Sequence, residues 1–342
     1  MSATAPAPTP ETPSSLSGPT SDPSTARRPG RRSRRARQPV RSTAPQHTRR
    51  AQARLGLILV APLLAVYGTF LLFPMVNSVY FVFVDFNGID ANPPWVGFAN
   101  FIEVAQDSKA WAAFRHNGIW IVIGTIGPLV VGLGLALLVW AVPKGTVLYR
   151  IAFFLPYVLP QVALGIVWSW IYDPTRGWLN RVLEFVGLER FTAGWLGNPD
   201  TALYAVLATA IWATSGFVFV ILLAALRHVD ADLLDAARLD GANPTQRLQH
   251  IILPQIMPVF LMVTTLTLIG GFSVFDWVFV MTGGGPAGAS EVLGTYAYSS
   301  AFQLNRISYG TTLALIITLL AVPFALALNR LQRRLSQQGT GA

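Results

Sequence analysis

Six stretches of the chain contain no Asp, Glu, Lys or Arg, and each is at least 22 residues long. They cover residues 55–84, 117–143, 151–172, 201–226, 251–275 and 307–329. A helix needs about 20 apolar residues to cross the hydrocarbon core of a bilayer. Because lipid offers no partner for backbone N–H and C=O groups, such segments must be helical. The pattern therefore predicts an all-α polytopic membrane protein with six transmembrane helices.

Composition agrees with this prediction and excludes several other classes. Charged residues make up 12% of the chain and the mean hydropathy is +0.48, whereas an ordinary soluble domain is about 25% charged. The chain has no cysteine, so disulfides and cysteine-ligated metals are excluded. Its four histidines are scattered, and no spacing typical of a metal site is present. The apolar segments are also too long for the strands of a β-barrel.

The chain divides into three regions by composition. Residues 1–50 are rich in Pro, Ser, Thr, Ala and Arg and are expected to form a disordered tail. Eleven of the 25 basic residues lie between Arg27 and Arg54. Nucleic-acid binding and a twin-arginine signal are alternatives for this run, but a topology anchor that touches anionic membrane lipid fits it better. Residues 51–335 form the transmembrane domain and residues 336–342 a short tail.

The distribution of basic residues predicts the orientation in the membrane. With the N-terminus inside, 19 basic residues lie on the cytoplasmic side and 6 on the other. Since positive charge accumulates in cytoplasmic segments, both termini are expected in the cytoplasm.

The chain lacks the motifs of an energy-converting enzyme. A phosphate-binding loop needs a Gly-rich turn followed by Lys, and neither Lys109 nor Lys144 stands in that setting. No catalytic residues and no metal ligands are predicted. The six spans also hold none of the four charged residue types, although ion-coupled carriers usually place such groups in the membrane. Energy for uphill transport would therefore enter from another subunit.

The loop between the fourth and fifth spans, residues 227–250, has dense charge of both signs. An amphipathic helix is predicted over residues 229–239, and Gly241 suits its C-terminal turn. Asn243-Pro244 can begin a second short helix, which ends before Pro254 leads into span five. The sequence predicts a helix-turn-helix that another protein can approach closely at its small residues.

This loop resembles the signature of permease subunits of binding-protein-dependent ABC importers. The matching residues are Asp235-Ala236-Ala237, Gly241, Ile251, Leu253 and Pro254. Asp235 stands where the family has Glu, so the carboxylate is kept but is one methylene shorter. Other segments resemble the carbohydrate branch, of the maltose and glycerol-3-phosphate type: residues 153–156, Phe275-Asp276, residues 282–286, Tyr298 and Phe302.

The resemblance implies a type I ABC importer fold in a bacterial inner membrane. It implies a second permease subunit, two ATP-binding subunits that hold ATP and Mg, and an extracytoplasmic solute-binding protein that delivers a sugar or oligosaccharide. This chain would bind no cofactor and no nucleic acid. The residues implied in coupling to the ATPase are Asp235, Ala236, Ala237, Asp240, Gly241, Leu253 and Pro254.

The resemblance also implies a substrate pathway lined from spans four and five. Its candidate residues are Trp212, Thr214, Ser215, Phe217, Thr267, Gly271, Ser273, Val274 and Asp276. Two alternatives remain at this point. One is a permease for another solute such as glycerol phosphate, which would favour an arginine in the pore, and the spans have none. The other is a membrane receptor or scaffold without transport, for which substitutions of Asp235 would be silent.

Overall fold

The computed structural model describes residues 46–142 and 145–338. Within these ranges the chain is helical, and the only extended pairing is an isolated bridge between Val84 and Trp95. The helices are α1 Gln46–Tyr67, α2 Phe73–Phe81, α3 Ala99–Gln106, α4 Ser108–Trp140, α5 Thr146–Val158, α6 Gln161–Ile171, α7 Trp178–Phe185, α8 Ala202–Leu226, α9 Ala231–Leu239, α10 Pro244–Arg247, α11 Leu253–Phe272, α12 Asp276–Met281, α13 Leu293–Tyr298 and α14 Ile307–Gln338. Three π turns join some of them, at Gly68–Leu72, Leu248–Ile252 and Ser299–Gln303.

Five helical segments among the described residues are long and apolar enough to cross a membrane, and a bent helix pair makes six. The five are Ile58–Phe81, Ser108–Trp140, Ala202–Leu226, Pro244–Phe272 and Ile307–Arg330. The prediction of an all-α polytopic membrane protein is confirmed.

The third predicted span, residues 151–172, is not one straight helix. The structure divides it into α5 and α6, whose axes differ by 96°. Leu159 and Pro160 between them are extended, with ψ angles of 145° and 130°. Proline has no N–H to continue a helix and disfavours the helical conformation of the residue before it. The break therefore falls where the sequence places Pro160.

The predicted second helix of the 227–250 loop is not separate from span five. α10 continues through the π turn Leu248–Ile252 into α11, so residues 244–272 form one helix. Pro254 lies two residues after this turn, as Pro74 does after the π turn Gly68–Leu72. In an α-helix, a proline ring clashes with the carbonyl group four residues earlier. A π turn moves that carbonyl group away from the ring. The helix thus passes a proline that was expected to interrupt it.

Helix α8 lies at the centre of the bundle. Of the residues in its most apolar stretch, 61% are buried. The helix packs along α4 and α5. Glycines permit both crossings. A Cβ on Gly132 of α4 would lie 2.7 Å from Val218 Cβ, and a Cβ on Gly216 would lie 2.0 Å from the Phe153 carbonyl oxygen. Small residues at such crossings let helix backbones approach closely in membranes.

The ends of the chain differ from the predicted boundaries. Helix α1 begins at Gln46, so residues 46–50, which were assigned to the tail, are helical; residues 1–45 lie outside the described part, and their predicted disorder stays a prediction. At the other end, α14 continues to Gln338, past the expected boundary at residue 335. The described residues divide into two units after Pro62, and every contact described below lies in the second.

Asp107 joins three helices at one end of the bundle. It caps α4 by accepting the Lys109 N–H at 2.8 Å, and it accepts the hydroxyls of Tyr296 on α13 and Tyr309 on α14. Burial alone would raise the pKa of Asp107. The hydrogen bonds from both tyrosines and from the amides of Lys109 and Ala110 outweigh it, so the pKa lies below the ordinary value. Burial, followed by the bond to Asp107, raises the pKa of Tyr296 to about 12.

Candidate functional site

A cavity of about 450 Å³ opens where two helices are interrupted. One interruption is the bend between α5 and α6, and the other separates α11 from α12. Helices α4 and α8 complete the wall. The lining residues are Trp120, Gly124, Tyr157, Gln161, Ala210, Ile211, Thr214, Phe217, Leu266, Thr267, Gly270, Gly271, Ser273, Val274, Phe275, Asp276 and Trp277.

The break after α11 brings polar groups to the cavity. Helix α11 ends at Phe272, where the Ser273 N–H still donates to the Ile269 carbonyl at 3.3 Å. Phe275 has φ −147° and α12 begins at Asp276. A continuous helix would turn successive side chains about 100° apart. The irregular segment instead places Ser273, Val274 and Asp276 together on the wall.

The cavity wall combines aromatic faces, hydroxyls and one carboxylate. Tyr157 and Phe217 are stacked, with ring centroids 4.7 Å apart and planes 23° apart. Gln161, Thr214, Thr267 and Ser273 contribute neutral polar groups. Asp276 has the only formal charge among the lining residues, and its side chain is exposed. Such a wall can hold a neutral solute with many hydroxyl groups.

Seven of the nine predicted pathway residues line this cavity. They are Thr214, Phe217, Thr267, Gly271, Ser273, Val274 and Asp276. The other two face elsewhere. Trp212 is 44% exposed and packs edge-to-face on Trp168, with ring centroids 5.3 Å apart. Ser215 is buried and donates to the Ile211 carbonyl of its own helix at 2.6 Å.

Sequence reasoning missed the contribution of the bent third span. Tyr157 and Gln161 reach the cavity because α5 and α6 diverge by 96° between them. The signal for this was the pair Pro156 and Pro160, which flank Tyr157 in the sequence. Trp120 on α4 was also missed, and no local pattern distinguishes it from a packing residue.

The 227–250 loop forms a compact turn between α9 and α10. The Asp230 carboxylate caps α9 by accepting the Asp232 N–H at 2.9 Å. After α9, Gly241 has φ +80°, its N–H donates to the Arg238 carbonyl, and the Ala242 N–H donates to the Ala237 carbonyl at 2.9 Å. This is a Schellman turn, for which glycine is the favoured residue.

The second half of the loop begins with a reciprocal cap. Asn243 accepts the Gln246 N–H at 2.9 Å, and the Gln246 side chain accepts the Asn243 N–H at 2.9 Å. Pro244 takes the first helical position, where its missing N–H costs nothing. Local capping chemistry therefore determines the shape of this loop.

The outer face of α9 carries acidic and apolar groups. The side chains of Asp235 and Arg238 form an ion pair of 2.8 Å and are 67% and 63% exposed. Asp240 and Ala236 are also exposed, Ala237 is half-buried, and Leu239 is 90% exposed. Leu234 of the same helix is buried in the core cluster that contains Leu226, Ile252 and Ile256.

Leu253 and Pro254, the last predicted coupling residues, lie on the long helix rather than in the turn. Leu253 packs against the core cluster around Leu226 and Ile256, and Pro254 is exposed. The structure thus brings five of the seven predicted coupling residues together at α9 and its turn. Throughout the described ranges, no group of three or more His, Asp or Glu could hold a metal ion.

Comparison with known proteins adds three similarities. The family described as "Binding-protein-dependent transport system inner membrane component" matches residues 128–338. The probable ABC transporter permease protein YurN of Bacillus subtilis is 30% identical over 276 residues, which are 80% of this chain and 93% of that protein. The trehalose/maltose transport system permease protein MalF of Thermococcus litoralis is 27% identical over 282 residues, 82% of this chain and 95% of that protein.

Among solved structures, a bacterial ABC transporter involved in the import of the acidic polysaccharide alginate has a similar fold. One of its chains superposes with a TM-score of 0.72 at 21% identity, over 84% of this chain and 98% of that one. At this identity the similarity concerns the fold alone.

Proposed function

The chain belongs to the family of binding-protein-dependent transport system inner membrane components, and from this premise we propose that it forms half of the transmembrane pathway of an ATP-driven importer for a neutral sugar or oligosaccharide. The cavity between the two helix interruptions carries the proposal. Its stacked Tyr157 and Phe217 suit the apolar face of a sugar ring, and its hydroxyl and amide groups suit sugar hydroxyls. The transport of trehalose and maltose by a relative is consistent with this class of solute.

The electrostatics of the cavity favour a neutral solute over a phosphorylated one. Asp276 is the only formally charged lining residue, and no Arg, Lys or His is among them. An anion would meet a carboxylate with no compensating cation, which is unfavourable inside a membrane protein. A carboxylate can instead accept hydrogen bonds from sugar hydroxyls. Such bonds to a charged acceptor are stronger than hydrogen bonds between two neutral groups. Permeation of glycerol phosphate by this chain is therefore disfavoured.

The other subunits supply the energy and the solute in this proposal. The exposed face of α9 and its turn dock on one of two ATP-binding subunits, which bind ATP and Mg and perform the hydrolysis. A second permease chain completes the pathway, and an extracytoplasmic solute-binding protein delivers the sugar. The 227–250 loop and both termini then lie in the cytoplasm, as the excess of basic residues on that side predicts.

Co-purification and reconstituted uptake test this assignment. Purification of the tagged chain from its own cells in mild detergent is expected to recover an ATP-binding subunit and a second multispan chain in near-equal amounts. The complex in proteoliposomes, with its binding protein added, should take up a neutral sugar only when ATP is inside. A chain that is recovered alone, also after crosslinking with an ATP analogue present, would contradict the proposal and favour a receptor.

The variant Asp276→Asn tests the cavity directly. It keeps the shape of the side chain and removes its charge. Loss of charge-assisted hydrogen bonds predicts roughly tenfold or more slower uptake. The matched control is Asp200→Asn, because Asp200 is exposed and is not among the cavity residues. Equal uptake by both variants would remove Asp276 from the solute pathway.

A further inference from the structure

Asn117 lies at a junction of three helices and is 3% exposed. Its side-chain amide on α4 donates to the carbonyl oxygens of Gly271 and Phe272, both at 3.4 Å, at the end of α11. Its side-chain oxygen accepts the Leu293 N–H at 2.9 Å, at the start of α13. One buried side chain therefore contacts the end of one helix and the beginning of another.

These contacts satisfy backbone groups that helices leave without partners. The last four carbonyls of a helix and its first four N–H groups have no intrahelical bond. When buried, each such group needs another partner, and leaving it without one is costly. Asn117 thus serves as the cap for both the end of α11, where the chain breaks before α12, and the start of α13.

The start of α13 also rests on the interrupted segment itself. A Cβ on Gly294 would lie 2.6 Å from the Val274 carbonyl oxygen, so the two backbones are in close contact. The neighbour of Asn117 on α4 makes a parallel contact, since His116 Nδ1 lies 2.8 Å from the Glu291 carbonyl oxygen. The segment that carries Val274 is therefore held between α4 and α13.

We propose that Asn117 is a positioning residue, which fixes the irregular segment Ser273–Phe275 and thereby the shape of the cavity wall. Asn117 is not itself among the lining residues, but Gly271, whose carbonyl it contacts, is one of them. This role rests on the proposed function, because only that function makes the cavity a solute site. The position of the segment Ser273–Phe275 is a property of this chain alone and can be tested without any transport measurement.

Cysteine labelling provides that test, because the chain has no cysteine of its own. The reporter is Ser273→Cys, at an exposed position on the irregular segment. A second reporter, Thr214→Cys on α8, lies across the same cavity. Membranes containing the whole transporter are treated with a small water-soluble maleimide, and the rate of modification is measured on this chain after purification.

Each reporter is combined with Asn117→Leu, which has a similar volume but no polar atoms, and with Asn117→Ser, which is too short to reach the three backbone groups. A serine hydroxyl can bond to its own helix one turn back, so the new side chain has a partner while the three backbone groups lose theirs. The matched control is Thr125→Val on the same helix. Thr125 is also buried, and its hydroxyl has no hydrogen-bond partner in the described structure.

We expect both Asn117 variants to change the labelling rate of Ser273→Cys roughly tenfold, the factor that corresponds to one lost hydrogen bond. The rate at Thr214→Cys should stay within twofold, and Thr125→Val should change neither. Unchanged labelling at Ser273→Cys would overturn the proposal. Loss of both Asn117 variants from the membrane, while Thr125→Val accumulates, would also overturn it and assign Asn117 to folding. Either result leaves the uptake experiment unaffected, so failure of the transport assignment is recognised separately.

Discussion

Reversing the charge of Asp235 should abolish transport without unfolding the chain. Asp235 and Arg238 are 67% and 63% exposed, and an exposed ion pair contributes about 0.2–1 kcal/mol. An arginine at position 235 would also repel Arg238, at a cost of about 0.2–0.5 kcal/mol. The total, about 1 kcal/mol, is small beside the 5–15 kcal/mol that stabilise a typical domain. A large loss of uptake would therefore report on docking.

The assay is ATP-dependent uptake by the reconstituted complex, together with the amount of ATP-binding subunit that co-purifies with each variant. For Asp235→Arg we expect at least a roughly hundredfold loss of uptake, because a like charge placed against a complementary surface costs several kcal/mol. The matched control is Asp200→Arg, which reverses an exposed charge outside the 227–250 loop and should keep its uptake.

A double variant separates docking from the local ion pair. Asp235→Arg combined with Arg238→Asp restores a pair of opposite charges on α9 but reverses its direction. If Asp235 acts on a partner subunit, the double variant stays inactive. Recovery of uptake by the double variant would show that only the pair within the helix matters, and the docking argument would fail.

Two further predictions concern stability. Gly216→Ala should destabilise the chain by about 1–3 kcal/mol, because its Cβ would lie 2.0 Å from the Phe153 carbonyl oxygen; thermal unfolding in detergent measures this, and Gly134→Ala, whose Cβ would meet nothing within 4 Å, should not be destabilised. Asp107→Asn should cost about 1–2 kcal/mol at pH 7, because the charged hydrogen bonds weaken. Since the pKa of Asp107 is lowered, its contribution to stability is present above the ordinary pKa of 3.8 and disappears as the pH falls through the lowered pKa. The melting temperatures of the wild-type chain and Asp107→Asn should therefore converge on acidification. A difference that stays constant with pH would refute the assignment.

Local chemistry explains which features the sequence could predict. Segments without charged residues indicated every span. A charged side chain in the hydrocarbon core is costly whichever neighbours the helix packs against. Gly241 and Asn243 were assigned correctly, since their turns are determined by residues within five positions of each other. A proline inside a span, such as Pro160, predicts a kink, but hydropathy does not give its size, so the 96° bend and the entry of Gln161 into the cavity were missed.

The cavity face of α8 was only partly predicted, although its spacing was visible. Ile211, Thr214 and Phe217 recur at intervals of three and share one face of a helix. Trp212 and Ser215 have chemistry that suits a sugar site but lie off that face. The role of Asn117 could not be read from the sequence, because its partners are more than 150 positions away.

The unbroken helix from Pro244 to Phe272 makes the loop and the cavity wall two ends of one rod. At 1.5 Å per residue, its 29 residues extend over roughly 43 Å. A rod of that length, tilted by about 5° around one end, displaces the other by roughly 4 Å, which exceeds the diameter of a water molecule. Such a helix needs no flexible point along its length. A small tilt imposed at Asn243 displaces Gly271, and the size of the displacement depends on where along the helix the neighbouring helices hold it.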